Sequence, residues 1–349
     1  MALPTYQKAL LVQEKFGDFT LVDLPVPKPG KDEVLVKIQS SALNPVDWMI
    51  QKLGILIKDY PALLGFDIAG DVVGLGEGVT QVEIGDKVFT QGVMGNNNQS
   101  GFQQYAIVDV HTLAKIPANL TYDDASTISV GIAAPYIGLY NASPYGLGLV
   151  PPLGPENQGK YSGTPILIFG GSTVVGHFAI QLAKLSGFAP IITTASPKHE
   201  SSLKALGATH VLDRSGPVTE AQVQAITRTS IKYIFDGVST PETQKQGFEI
   251  LAPGGKQVVV LHPEAFWEEG KKEDKAAIHV LGGKALPHHY ELIKELFRNL
   301  TGLLEKGEIR PHNVEVLPNG LNGVVGGLRT AEEGKVSYVK LVVRPQETS

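Results

Sequence analysis

Cysteine is absent from the 349 residues, which excludes a disulfide framework and every metal site built on thiolates. The nine histidines form no HExxH or comparable pairing at helical spacing, so no metal site is expected from the His and carboxylate ligands that remain. Basic residues are not in excess either. Thirty Lys and Arg against 35 Asp and Glu leave a net charge of −5, and without a basic stripe nucleic acid is not an expected partner. No stretch reads as a membrane span: the most apolar one, Pro165 to Ala183, holds three glycines, a His and a Gln, and suits a buried strand and helix. The opening "MALPTYQKALLVQEKFGDF" lacks a basic start followed by an apolar core of signal-peptide length, so a cytoplasmic location is expected. With 42% hydrophobic and 19% charged residues, the chain has the composition of a globular enzyme of two domains.

What is present falls into two textures. Through residue 120, short apolar runs alternate with turn residues: "KALLVQE", "FTLVDLPVP", "VLVKIQSSAL", "DVVGLGEGV", "GDKVFTQG" and two more in "GFQQYAIVDVHTLAKIP". This half reads as mostly β with few helices. Near Thr121 the pattern changes. "TYDDASTISVGIAAPYIGLY" opens with a Thr-x-x-Asp cap and keeps helical spacing, which predicts one helix leading into a new domain. Residues 141–163, rich in Pro and Gly, read as a long loop suited to one wall of a substrate cleft. Strands and helices then alternate from "TPILIFGG" to "GGKQVVVLH", giving four or five apolar strands in the manner of an α/β, doubly wound parallel sheet. The tail from about Pro287 adds the helix "HHYELIKELFRNLTGLLEKG" and the strand "KLVVRP". The expected domains are 1–125 with a C-terminal return, 287–349, and 126–286.

The stretch "ILIFGGSTVVGHFAIQLAKLSG" sets Gly170, Gly171 and Gly176 between a buried strand and an amphipathic helix. Small residues there let the backbone approach a pyrophosphate, and the helix N-terminus favours its charge. The spacing is not a strict GxGxxG; the strand before and the helix after give it weight. The next strand, "IITTA", ends in Ser196, Pro197, Lys198 and His199 with no carboxylate before Glu200. A carboxylate there would hold the ribose 2′-hydroxyl of NADH, whereas donors and cations suit a 2′-phosphate. Arg214, after the third strand, is placed to join them as a bidentate partner. NADPH is the expected cofactor.

Together "LNPVDW" at 43–48, "GFDIAGDVVGLGEGVTQVEIGDKVF" at 65–89, "GGSTVVG" at 170–176, "SPKH" at 196–199 and "GKVSYVKLVVR" near the end resemble the medium-chain dehydrogenase/reductase superfamily over nearly the whole chain. The nearest likeness is to its zinc-free quinone and enoyl reductases, fungal trans-acting enoyl reductases in particular. The resemblance implies a β-rich GroES-like catalytic domain beside a Rossmann nucleotide domain. Zinc-dependent members carry His-Glu where this chain has Phe66 and Asp67, and Cys ligands that it lacks. By the same resemblance Asn44 and Asp47, in the "NPVD" run, border the nicotinamide, and Ser172, Thr173, Val174 and Val175 contact the diphosphate. Ser196, Lys198 and Arg214 hold the 2′-phosphate, while Val260, Leu261 and His262, with Val336 and Ser337, close over the nicotinamide side.

One departure bears on chemistry. Relatives often carry Lys or Tyr as a proton donor where this chain has Met49, and a thioether donates no proton. Water, Lys52, Tyr60 or Tyr136 then supplies the proton, or the substrate is a quinone protonated from solvent; Met49 also suits an apolar pocket wall. The expected activity is NADPH-dependent, metal-free reduction of an activated alkene. A quinone reductase is the alternative, and a non-catalytic NADPH-binding sensor the alternative of another class. The monomer and the homodimer both remain open.

Overall fold

The computed structural model describes residues 3–349 in two units, one running to Val130 and resuming at Gly283–Ser349, the other Gly131–Gly282. In the first unit, strand Tyr6–Val12 lies between Phe19–Pro25 and the short Ala62–Leu63. A larger sheet orders Val314–Val316, Lys340–Val343, Glu33–Ala42, Asp67–Leu75, Lys87–Gln91 and Leu113–Lys115, with Tyr105–Asp109 also on Glu33–Ala42. The chain's last strand therefore sits beside its third. Val342 pairs antiparallel with Ala42 and Val343 with Ser41, so the C-terminal segment completes the sheet.

Helix Tyr290–Glu305 in that segment buries Ile293, Leu296, Phe297, Leu300, Leu303 and Leu304. The three- and four-residue spacing makes one apolar stripe, and Phe297 meets Phe89 with ring centroids 6.1 Å apart. Just before it, buried Lys284 donates to the Thr90 and Thr112 hydroxyls at 2.9 and 3.0 Å. Burial holds the Lys284 amine down at about 8.

The second unit carries a six-stranded sheet in the order His210–Asp213, Ile191–Ala195, Ile166–Phe169, Tyr233–Asp236, Lys256–Val259, Ala276–His279. Every neighbouring pair is parallel, the doubly wound 3-2-1-4-5-6 arrangement. Its strand order reverses beside Ile166–Phe169, where such sheets bind ligands at the strands' carboxyl ends. Crossover helices follow the apolar spacing. Val174–Ser186 and Glu200–Leu206 stop at Gly187 and Gly207, both with positive φ. The loop 141–163 folds back onto this unit: Leu147, Leu149 and Leu153 are buried, and Tyr161 stacks on Phe188 at 5.0 Å.

Three elements differ from the sequence expectation. Residues 121–140 form two helices, Tyr122–Ser126 and Ser129–Tyr140. The Thr121 cap is present, but Ser126 Oγ and Thr127 Oγ1 bond back to the carbonyls of Asp123 and Asp124, competing with the main-chain ladder at the break. Helix Pro45–Leu53 interrupts the β-rich half, and a sixth strand, Ala276–His279, follows the charged run 268–275.

Candidate cofactor and active site

At the first strand-to-helix turn of the second unit, Gly170 has a φ of 76° and its amide donates to Thr194 Oγ1 at 2.9 Å. Thr173 caps the helix: its hydroxyl donates to the Gly170 carbonyl and accepts from the Gly176 amide. A Cβ on Gly176 would lie 2.1 Å from the Gly170 carbonyl oxygen, and one on Gly171 2.3 Å from Thr193 Oγ1. Both clashes are with anchored atoms, so the turn's close course requires glycine. Small residues and a capped helix N-terminus are what a dinucleotide diphosphate needs.

A cavity of about 590 Å³ opens beside this turn and brings Gly170, Ser172, Thr173, Ser196 and Arg214 to one place. It also gathers residues that the sequence reading did not single out: Thr194, Asp213, Ser215, Gly216, Val218, Val238, Thr243 and Gln246. They come from strand ends and helices far apart in sequence, and no local motif marks them. Lys198 and His199 stand on the next turn. The charges of Lys198 and Arg214, after burial as the larger cause, push the His199 imidazole below its ordinary range, so three basic side chains share this rim. Asp213 is drawn down by the Ser215 amide and hydroxyl. Val174 and Val175 open the capped helix; Val260 is half-buried, and Leu261 and His262 are exposed after the fifth strand.

In the first unit, Phe66 and Asp67 follow a buried "LLG" run. Asp67 is 0% exposed, and its Oδ2 accepts from Lys340 Nζ at 2.6 Å and Asn44 Nδ2 at 2.9 Å. Its Oδ1 accepts from the Val130 amide at 2.8 Å. Asp47, likewise buried, accepts from the Asn44 amide at 2.8 Å and the Gly65 amide at 3.1 Å. Asp47 is thus the capping carboxylate of helix Pro45–Leu53 and bears on its surroundings through Asn44 and Gly65. Burial pushes its carboxyl up to about 7 against the pull of those two amides; the Asp67 charge adds to the rise and Lys340 opposes it.

The candidate proton donors are dispersed. Lys52 pairs with Glu332 at 2.6 Å on the rim of a separate cavity with Trp48 and Phe19. Tyr136 is fully buried in the second unit. Tyr60 packs against the first unit's core with Val46, Trp48, Val130 and Val336, and its buried hydroxyl has no hydrogen-bond partner among the described residues. Met49 is half-buried on its helix, and Ser337 is exposed.

Residues 30–118 match the alcohol dehydrogenase GroES-like domain, and residues 174–265 match the zinc-binding dehydrogenase family. Trans-enoyl reductase FSL5 of Gibberella zeae is 30% identical, with 97% of each chain covered. Dehydrogenase azaJ of Aspergillus niger is 31% identical over 96% of this chain and 98% of its own. The apo JamJ enoyl reductase superposes with a TM-score of 0.75 at 25% identity, covering 97% and 99%. The chain belongs to the medium-chain dehydrogenase/reductase superfamily. As a member of its quinone and enoyl reductase branch it is an oxidoreductase that takes a nicotinamide cofactor, and the glycine turn fits that group.

The zinc that one family description names does not fit these residues. There is no cysteine, no three His, Asp or Glu side chains converge among the described residues, and the one carboxylate at the His-Glu position is consumed by Lys340, Asn44 and Val130.

Removing one partner of a buried ion pair strands the other charge, at a cost of about 3–5 kcal/mol. Asp67→Asn and Lys340→Met are each expected to lose about that much in denaturant unfolding, and the double variant less than their sum. Asp47 has a folded pKa above its unfolded value of 3.8, so its contribution is fully present below about pH 4 and is lost as pH rises through 7, by about 4 kcal/mol in all. Asp47→Asn is expected to be less stable at pH 5, because one amide loses its acceptor, yet to flatten the decline between pH 4 and 7 in a series of unfolding midpoints.

Proposed function

We propose that the protein is an NADPH-dependent reductase of activated carbon–carbon double bonds, in an enone, enal or enoyl thioester, working without a metal. The observation that carries this reading is the Asp67 cluster. A buried carboxylate with both oxygens hydrogen-bonded and locked to Lys340 stands where, by the family resemblance, zinc-dependent members keep metal ligands, so no Lewis acid is available there to polarise an alcohol or a plain carbonyl. An acceptor conjugated to a carbonyl delocalises the incoming electron pair itself. The names of the relatives agree in kind: FSL5 is a trans-enoyl reductase and JamJ an enoyl reductase.

When bound, the dihydronicotinamide supplies the hydride. The chain's own residues hold and orient the cofactor, and orientation accounts for much of the rate in such transfers. Gly170, Gly171 and Gly176 clear the backbone for the diphosphate, with Ser172 to Val175 around it. Ser196, Lys198, His199 and Arg214 receive the 2′-phosphate, and the second strand ends without the carboxylate that a free 2′-hydroxyl calls for. To the nicotinamide end we assign Val260, Leu261 and His262 of the second unit and, of the first, Asn44, whose side chain is fixed on Asp67, with Val336 and Ser337. Among the candidate donors, Tyr60 has a buried hydroxyl with no hydrogen-bond partner among the described residues, and we assign it the proton that the reduced substrate takes up. The acceptor is a small molecule and the setting cytoplasmic; no helix among the described residues is long and apolar enough to cross a membrane.

Met49 favours a second reading, a quinone reductase, because a reduced quinone takes its protons from water. Following NADPH oxidation against an enone, an enoyl thioester and an ortho-quinone separates the two. Turnover of either of the first pair is expected; turnover of the quinone alone would reverse the assignment, and tight binding without oxidation of any acceptor would leave a binding protein. For the cofactor, Lys198→Ala and Arg214→Ala are each expected to weaken NADPH binding about tenfold, the worth of a charge-assisted hydrogen bond, with NADH affinity nearly unchanged. Equal losses for both cofactors would refute the 2′-phosphate site.

A further inference from the structure

In the second unit, a fully buried glutamine sits among groups that the sequence did not connect. Gln244 Nε2 donates to the carbonyls of Ser239 and His262, both at 3.0 Å. Its Oε1 accepts from the Glu264 amide at 3.0 Å and from Trp267 Nε1 at 3.1 Å. All four bonds reach loop backbone or one buried ring. Ser239 is held just as closely. Its φ of 56° is a conformation that costs a non-glycine residue about 1–2 kcal/mol and persists only where the surroundings over-determine it. Here Asp236 Oδ1 takes the Ser239 amide at 2.7 Å, the Ser239 hydroxyl bonds the Asp236 carbonyl at 2.7 Å, and Val260 donates to that hydroxyl at 2.9 Å.

The two ends of this network touch different parts of the site. Val238 and Thr243, beside Ser239 and Gln244, line the cavity at the glycine turn. Val260 and His262 belong to the loop assigned above to the nicotinamide side. Among the described residues their backbone has no strand partner after Val259; the Ser239 hydroxyl and the Gln244 amide bond it directly, and the His262 ring lies 5.8 Å from that of His279. A leucine of similar volume would leave the Ser239 carbonyl and the Trp267 indole N–H without these partners in a buried setting, and the His262 carbonyl and the Glu264 amide without them in a part-buried one.

We propose that Gln244 is the positioning residue that sets the Val260–Glu264 loop against the rest of the cofactor site, so that the nicotinamide end of NADPH is held in register with its adenosine end. The proposal rests on the cofactor reading above. It also makes Trp267 a reporter, since its indole shares the Gln244 oxygen; the other of the two tryptophans, Trp48, lies in the first unit.

The test is binding of NADPH and of 2′,5′-ADP, which carries the 2′-phosphate and adenosine but no nicotinamide, to the wild type and to Gln244→Leu and Gln244→Glu. Gln244→Leu is expected to weaken NADPH at least tenfold and leave 2′,5′-ADP within twofold, with a shift in the Trp267 emission. Gln244→Glu keeps the acceptor for Glu264 and Trp267 and loses the donor to Ser239 and His262, and is expected to fall between. Equal weakening of both ligands in Gln244→Glu, or unchanged NADPH affinity in either folded variant, would overturn the proposal. If Gln244→Leu does not fold, Gln244→Glu decides alone. Failure of the wild type to bind 2′,5′-ADP would instead refute the NADPH site, and the positioning role with it.

Discussion

The first unit is organised by one carboxylate that water cannot reach. A charge buried without partners costs several kcal/mol, so Asp67 is tolerable only because both of its oxygens accept hydrogen bonds and one faces a buried ammonium. Its partners come from three places in the chain: Asn44 at the head of a helix, Val130 at the exit from the unit, and Lys340 on the returning C-terminal strand, while Asp67 itself starts a strand. Satisfying the charge therefore fixes the register of segments almost three hundred residues apart. The same cluster makes this position a structural joint between the strand at Asp67, the head of helix Pro45–Leu53 and the C-terminal strand.

The second unit solves a different problem, clearance. Gly171 and Gly176 keep anchored atoms out of each other's way at the turn, and Lys198 and Arg214 supply positive charge beyond it, holding the His199 imidazole below its ordinary range together with burial. Between them the chain leaves a cavity lined mostly by backbone, hydroxyls and small side chains. The loops after the fourth and fifth strands carry no regular ladder at their ends, and their conformation is set by Asp236, Ser239 and Gln244 instead. Side-chain hydrogen bonds fully satisfied in a dry interior hold a loop as firmly as a sheet does.

Much of this was legible beforehand and for local reasons. Period-two and period-3.6 patterns mark the strands and crossover helices, glycines at 187 and 207 mark helix ends, and the glycine turn declares itself by the strand before it and the helix after it. Helix Pro45–Leu53 was missed although Asn44, Pro45 and Asp47 spell a cap, because the surrounding β texture outweighed a short signal. The break at Ser126–Thr127 was missed because hydroxyl side chains bond back to the backbone without disturbing the apolar period. Strand Ala276–His279 is four residues long and follows a run of charge, so only its parallel neighbour, Lys256–Val259, gives it away.

The sequence by itself determined the two textures of the chain, the absence of a thiolate metal site, the glycine turn and the lack of a carboxylate at the end of the second strand, because each is a matter of residue type and near-neighbour spacing. Only the tertiary structure decided that Asp67 belongs to Lys340, that Lys52 belongs to Glu332, and that Gln244 ties Ser239 to His262. Those partners are chosen by which buried donor lies within three ångströms or so of which acceptor, and that distance is a property of packing that no pattern along the chain encodes.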